Sequence, residues 1–151
     1  MMQSKMLYGF AALIFVAGSI IRIVGFTVNF SVQFELLLLS LIPVLFLLTA
    51  GVTGVASAPA ICCFNGYLTA DMMYRVLAGT DIITPRELVI LSCFAVPSAF
   101  LCAGCCVTTS LRLIRAVFFH RKTDLQPAAN SIALCTVCAV MTFSVYLFGI
   151  K

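Results

Sequence analysis

The strongest constraint on this chain is where its charges are missing. Four long stretches, about 6–28, 36–58, 87–110 and 128–150, are apolar and almost free of Asp, Glu, Lys and Arg. Each is long enough for a membrane helix, which needs about 20 apolar residues. Of 151 residues, 63% are hydrophobic and 9% charged. A soluble domain typically carries roughly a quarter charged residues, so the surface of a water-borne globule would go unsolvated. This excludes an ordinary soluble enzyme, a nucleic-acid-binding domain and a disordered chain. The expected fold is all-α: one domain, 1–151, forming an integral membrane bundle of four transmembrane helices with a short interfacial helix between spans two and three.

The first stretch does not read as a secretory signal. Its charged region holds only Lys5, and its apolar run exceeds the roughly 7–15 residues of a signal core. We therefore expect it to be a mature span. Residues 29–35 make a short turn, which predicts that spans one and two are antiparallel neighbours. The sequon Asn29-Phe30-Ser31 lies too close to both spans to be used.

The longer connection, 59–86, contains a segment with helix signals. Thr69 suits an N-cap, Asp71 and Arg75 are spaced i,i+4, and Gly79 suits a C-terminal stop. Met72, Met73, Val76 and Leu77 share a face, so the segment is expected to lie in the interface plane. Thr84-Pro85-Arg86-Glu87 then supplies a cap, a proline at the first helical position and a capping-box Glu. The third span should begin there and continue as a helix past the membrane through Arg112 and Arg115.

The 111–122 segment holds Arg112, Arg115, Arg121 and Lys122, the densest positive cluster, which puts it on the cytoplasm-equivalent side. With four spans, Arg22 falls on that side too. These five cations are the expected contacts to lipid headgroups or a partner. Arg22 is the charge deepest in a span. Its expected role is structural, either snorkelling to the interface or pairing with Glu35.

Hydrophobicity does not drive helices together inside a bilayer, whereas close backbone approach through small residues does. Three such seams are legible: Ala11, Gly18 and Gly25 on the first span, Ala50, Gly54 and Ala58 on the second, and Ala95, Ala99 and Ala103 on the third. The fourth span has only scattered small residues and is expected to face lipid or a partner. Pro43 and Pro97 should kink their spans.

Two C-x-x-C pairs stand out among eight cysteines. Cys102, Cys105 and Cys106 lie near the end of span three, and Cys135 and Cys138 near the start of span four. Both groups sit roughly 10 Å below the same interface, so they should meet at equal depth. A shared redox dithiol or Cys₄ metal site is one reading. Soft packing thiols are the preferred one, because nothing cationic lies nearby to offset thiolate charge. Cys62-Cys63 follows the second span and is a candidate for acylation. His120, the sole histidine, sits in the basic segment and has no second histidine to share a ligand role.

The residues show no catalytic dyad, phosphate loop or proton relay, and no motif carries a resemblance to a known family. We expect no catalysis, cofactor or metal. The function expected is that of an accessory or structural subunit of a larger membrane complex. Its partners would be membrane lipids, other membrane subunits or copies of itself, and not nucleic acid. An organellar inner membrane or an endomembrane suits such a chain. The first alternative is a channel or transporter subunit using Thr49, Thr53, Ser57, Thr108 and Thr109 in an oligomeric pore. The second is a membrane thiol oxidoreductase or metal-thiolate site.

Overall fold

The computed structural model describes residues 2–25, 31–49, 51, 53–79, 85–119 and 126–149. These form five helices: α1 (Met2–Ile23), α2 (Val32–Thr49), α3 (Gly54–Ala78), α4 (Pro85–Phe119) and α5 (Gln126–Gly149). Three stretches are long and apolar enough to cross a membrane: Met6–Ile23, Leu88–Phe118 and Ala129–Leu147. They suggest a membrane protein. Helix α2 holds a shorter apolar run, Gln33–Phe46.

The expected second span, 36–58, is not one helix. It ends at Thr49, and a new helix begins at Gly54. Hydropathy stays high across this boundary, but Gly51 and Gly54 each weaken a helix by about 1 kcal/mol relative to Ala. Local bonds close the turn instead. The Gly54 amide donates to the Gly51 carbonyl at 3.2 Å, and the Ser110 hydroxyl of α4 donates to the same carbonyl. Thr49 caps its own helix end by donating to the Leu45 carbonyl at 2.9 Å.

The expected interfacial helix is corrected with it. Residues 69–78 are the last part of α3, a 25-residue helix packed against α1, α2 and α4. Leu68 and Met72 are fully buried. Thr69 is no cap: its hydroxyl donates to the Asn65 carbonyl at 2.8 Å, one turn back in the same helix. Gly79 does end the helix, at φ 66° and ψ 24°, with its amide turned back to the Arg75 and Val76 carbonyls. Pro85 begins α4 at the expected place. Helix α4 has 35 residues and is therefore about 52 Å long, well beyond a hydrocarbon core of about 30 Å.

The contacts fix the helix directions. Ser19 and Arg22 of α1 reach Gly66 and Asp71 of α3, so these two run the same way. Arg75 near the end of α3 meets Glu35 at the start of α2. Ser110 late in α4 meets Gly51 just before α3, and Thr142 late in α5 donates to Ser40 early in α2. Helices α1, α3 and α5 therefore run against α2 and α4.

We call the end holding Arg22, Glu35 and Arg75 the latch end. The other, holding the α2–α3 turn and the end of α4, is the basic end. The start of α1 and the end of α5 lie at opposite ends of the bundle. The extra helix also places Arg22 at the opposite end from Arg112 and Arg115, against the shared side expected for a four-span chain. Arg121 and Lys122 lie outside the described residues, as do Asn29, Ala50 and His120.

One core cluster takes residues from all five helices, including Ala11, Leu39, Phe46, Leu68, Cys102 and Cys135. Among the described residues, α1 packs on α3 and α4 and makes no contact with α2. The expected neighbour relation of the first two spans is thus replaced by one in which α3 stands between them.

Candidate functional site: a four-charge network and its surroundings

The side chains that carry charge into the bundle converge at the latch end. Asp71 on α3 is the hub. One carboxylate oxygen accepts from Arg22 Nε of α1, and the other accepts from Arg75 Nε at 2.8 Å, one turn along α3. Arg75 Nη2 donates onward to Glu35 Oε1 of α2 at 3.1 Å. The Arg22 guanidinium also lies over the Tyr74 ring, 4.8 Å from its centroid.

Both carboxylates are fully buried, while the Arg22 and Arg75 side chains keep 11% and 21% exposure. The acids thus sit inside and the guanidiniums reach toward the rim, as long arginine stems allow. Burying an ion costs several kcal/mol unless partners repay it. Two acids and two bases in one chain of contacts cancel their formal charge and tie α1, α2 and α3 together. The expected Arg22–Glu35 pair is corrected: Arg22 takes Asp71, and Glu35 takes Arg75. The link from Asp71 to Arg22 was not expected from the sequence, which showed only the i,i+4 spacing of Asp71 to Arg75. That spacing was legible, since Asp71 and Arg75 are the only charges in 54–78 and lie one turn apart.

The small-residue seams fall on these interfaces. Ala11 and Gly18 are buried on α1 against α3. A Cβ at Gly18 would overlap the Cys63 carbonyl, and one at Gly66 would overlap the Phe15 carbonyl. The two helices therefore cross backbone to backbone. Gly25 is not part of the seam: it lies past the end of α1 at φ 108° with open space around it. Gly54 and Ala58 are buried on α3, where Gly54 packs against Cys106 and Ser110. Ala95, Ala99 and Ala103 are buried along α4.

The thiols meet as their depth predicts. Cys102 of α4 and Cys135 of α5 are buried in the same core cluster, with Cys105 packed against it. Cys106 turns the other way, toward the Gly54 carbonyl at 3.9 Å and the Thr49 hydroxyl at 4.0 Å. Cys138 is half-buried beside this cluster. All eight thiols are free. Among the described residues, no group of three or more His, Cys, Asp or Glu is placed to hold a metal ion. Cys62 is buried and Cys63 half-buried inside α3, rather than in a connection that follows a span.

The pore candidates lie around the α2–α3 turn and the part of α4 packed on it. The hydroxyls of Thr49 and Thr108 bond back to their own helices, Thr109 is buried, and Thr53 is exposed before α3. Toward the basic end, a cavity of about 190 Å³ lies between α1, α3 and α4. Its walls include Leu7, Phe10, Ala58, Pro59, Ala103 and Val107, with no charged side chain among the lining residues. No family model, curated protein or solved structure matches this chain.

Proposed function

We propose that this chain is a non-catalytic multi-pass membrane protein that acts by packing, as an accessory or structural subunit of a larger membrane assembly. One observation carries the reading. The charges at the latch end pair with one another, while the outward faces of α1 and α5 present large apolar side chains. Leu13, Val16 and Ile20 are exposed on α1, and Val137, Val140 and Met141 on α5. A charge-balanced network that ties three helices together stabilises a scaffold, and exposed apolar stripes serve lipid or a neighbouring helix.

The deciding experiment is extraction from the native membrane in gentle detergent, then native-gel separation and mass spectrometry of what co-migrates. A stoichiometric complex is expected. A lone species or a homo-oligomer would reject the subunit reading.

The convergence of Cys102, Cys105 and Cys135 favours a second reading, a membrane thiol site. Thiols in apolar surroundings are poor nucleophiles, which weighs toward packing. Reversible cross-linking of α4 to α5 under mild oxidation, mapped by mass spectrometry, would favour the thiol site.

A further inference from the structure

The cavity near the basic end has a structural origin. Helices α1 and α3 touch backbone to backbone at Gly18 and Gly66, and Arg22–Asp71 holds them together on the latch side of that crossing. On the other side an apolar wedge lies between α1, α3 and α4. Its floor is buried, with Ala58 and Cys62 at 2% and 3% exposure and Ala103 at 3%. Its mouth is open, with Phe10 at 59% and Val55 at 38% exposure.

The geometry points to a binding site for one acyl chain of an anionic phospholipid. An apolar cavity does not hold water, which needs two to four polar partners, and even an engineered cavity of about 150 Å³ stays dry and takes up apolar ligands. At about 190 Å³ the wedge suits a segment of hydrocarbon chain. Its volume is too small to take in a helix about 10 Å across. Two of its walls, α1 and α4, are apolar enough to span a membrane, so hydrocarbon is the medium at its mouth.

Charge selects the headgroup. The ion pairs described all lie at the latch end, whereas Arg112 and Arg115 are exposed on α4 at the basic end. Arg115 lies about two turns beyond Val107 of the wedge, within reach of the headgroup layer. This site requires membrane insertion but not membership of a complex.

The chain has no Trp, so one introduced indole is a clean reporter. The full chain carrying Leu7→Trp, in the wedge, is reconstituted in phosphatidylcholine vesicles with a minor fraction of phosphatidylglycerol. Bromine is placed on the acyl chains of one lipid or the other. Val137→Trp, exposed on α5, reports bulk lipid.

Brominated phosphatidylglycerol is expected to quench the L7W chain several-fold more than the V137W chain. Arg115→Gln, an exposed change that spares the core, should bring the L7W signal down to the bulk level. Equal quenching of both chains by brominated phosphatidylglycerol would overturn the proposal, as would an L7W preference that persists without Arg115. An indole at position 7 that neither lipid quenches, beside a quenched V137W control, would mean the wedge is closed to lipid. A V137W chain that neither lipid quenches would overturn membrane insertion itself, and the site with it.

Discussion

The two ends of the bundle hold α1 in place by different physics. At the latch end, α1 is fixed by close backbone approach at Gly18 and by Arg22 on Asp71. At the basic end an apolar wedge lies between it, α3 and α4, with Leu7, Phe10, Val55 and Pro59 among its walls. The first end is specific, because a buried carboxylate tolerates few alternative partners. The second is permissive, because hydrocarbon packs against any apolar wall. There Tyr8 packs on Gly104 of α4, so the start of α1 is held by α4 rather than by an ion pair.

Substitutions at the latch should therefore cost far more than substitutions at the wedge. The largest effect is expected for Asp71→Asn, which leaves Arg22 and Arg75 without their shared anion. Breaking a buried pair by removing one partner costs about 3–5 kcal/mol. Thermal unfolding in detergent should show a fall in midpoint larger than that of Glu35→Gln, which removes one contact rather than two. Equal falls would deny Asp71 its place as hub.

Next comes Gly66→Ala. Its Cβ would overlap the Phe15 carbonyl, and the atom in the way is backbone. Overpacking of this kind typically costs about 1–3 kcal/mol. The same melting assay reads it, and a variant as stable as the parent would mean that α1 and α3 do not cross this tightly.

Tyr74→Ala should cost less, about 0.5–1 kcal/mol, the value of a cation–π contact at an exposed site. Adding Tyr74→Ala to Arg22→Gln should then bring little further loss, since the ring acts on that guanidinium. Full additivity of the two would remove the contact. The smallest effect belongs to Arg115→Gln, which should change stability by less than about 0.5 kcal/mol as a surface substitution. A large loss there would erase the contrast between the ends.

Helices α1, α4 and α5 were legible because a single property, sustained apolarity, defines them. The start of α4 was legible to the residue because a proline suits the first helical position by local backbone geometry alone. The meeting of Cys105 with Cys135 was legible because depth follows from counting residues along antiparallel neighbours. The boundary between α2 and α3 was not. Gly51 and Gly54 are as compatible with an apolar window as Ala, and the turn is closed by Ser110, some sixty residues away.

That one misreading moved everything that depends on helix number. It hid α3 in a loop, set Arg22 on the wrong side relative to Arg112, and offered Glu35 as its partner. The clue lay in 54–78 itself, where Asp71 and Arg75 are spaced to pair on one helix and the rest carries no charge.

The polarity of α3 also bears on the order in which the protein can be built. A buried Asp is costly until its cationic partners are in place. Helix α3 carries Asp71 and Arg75 near its end, with Asn65 buried between them and the basic end. Its two charges arrive already paired at i,i+4, and both outside partners, Arg22 and Glu35, precede it in the chain. A ribosome working from the N-terminus thus delivers the network's two anchors before the helix that needs them.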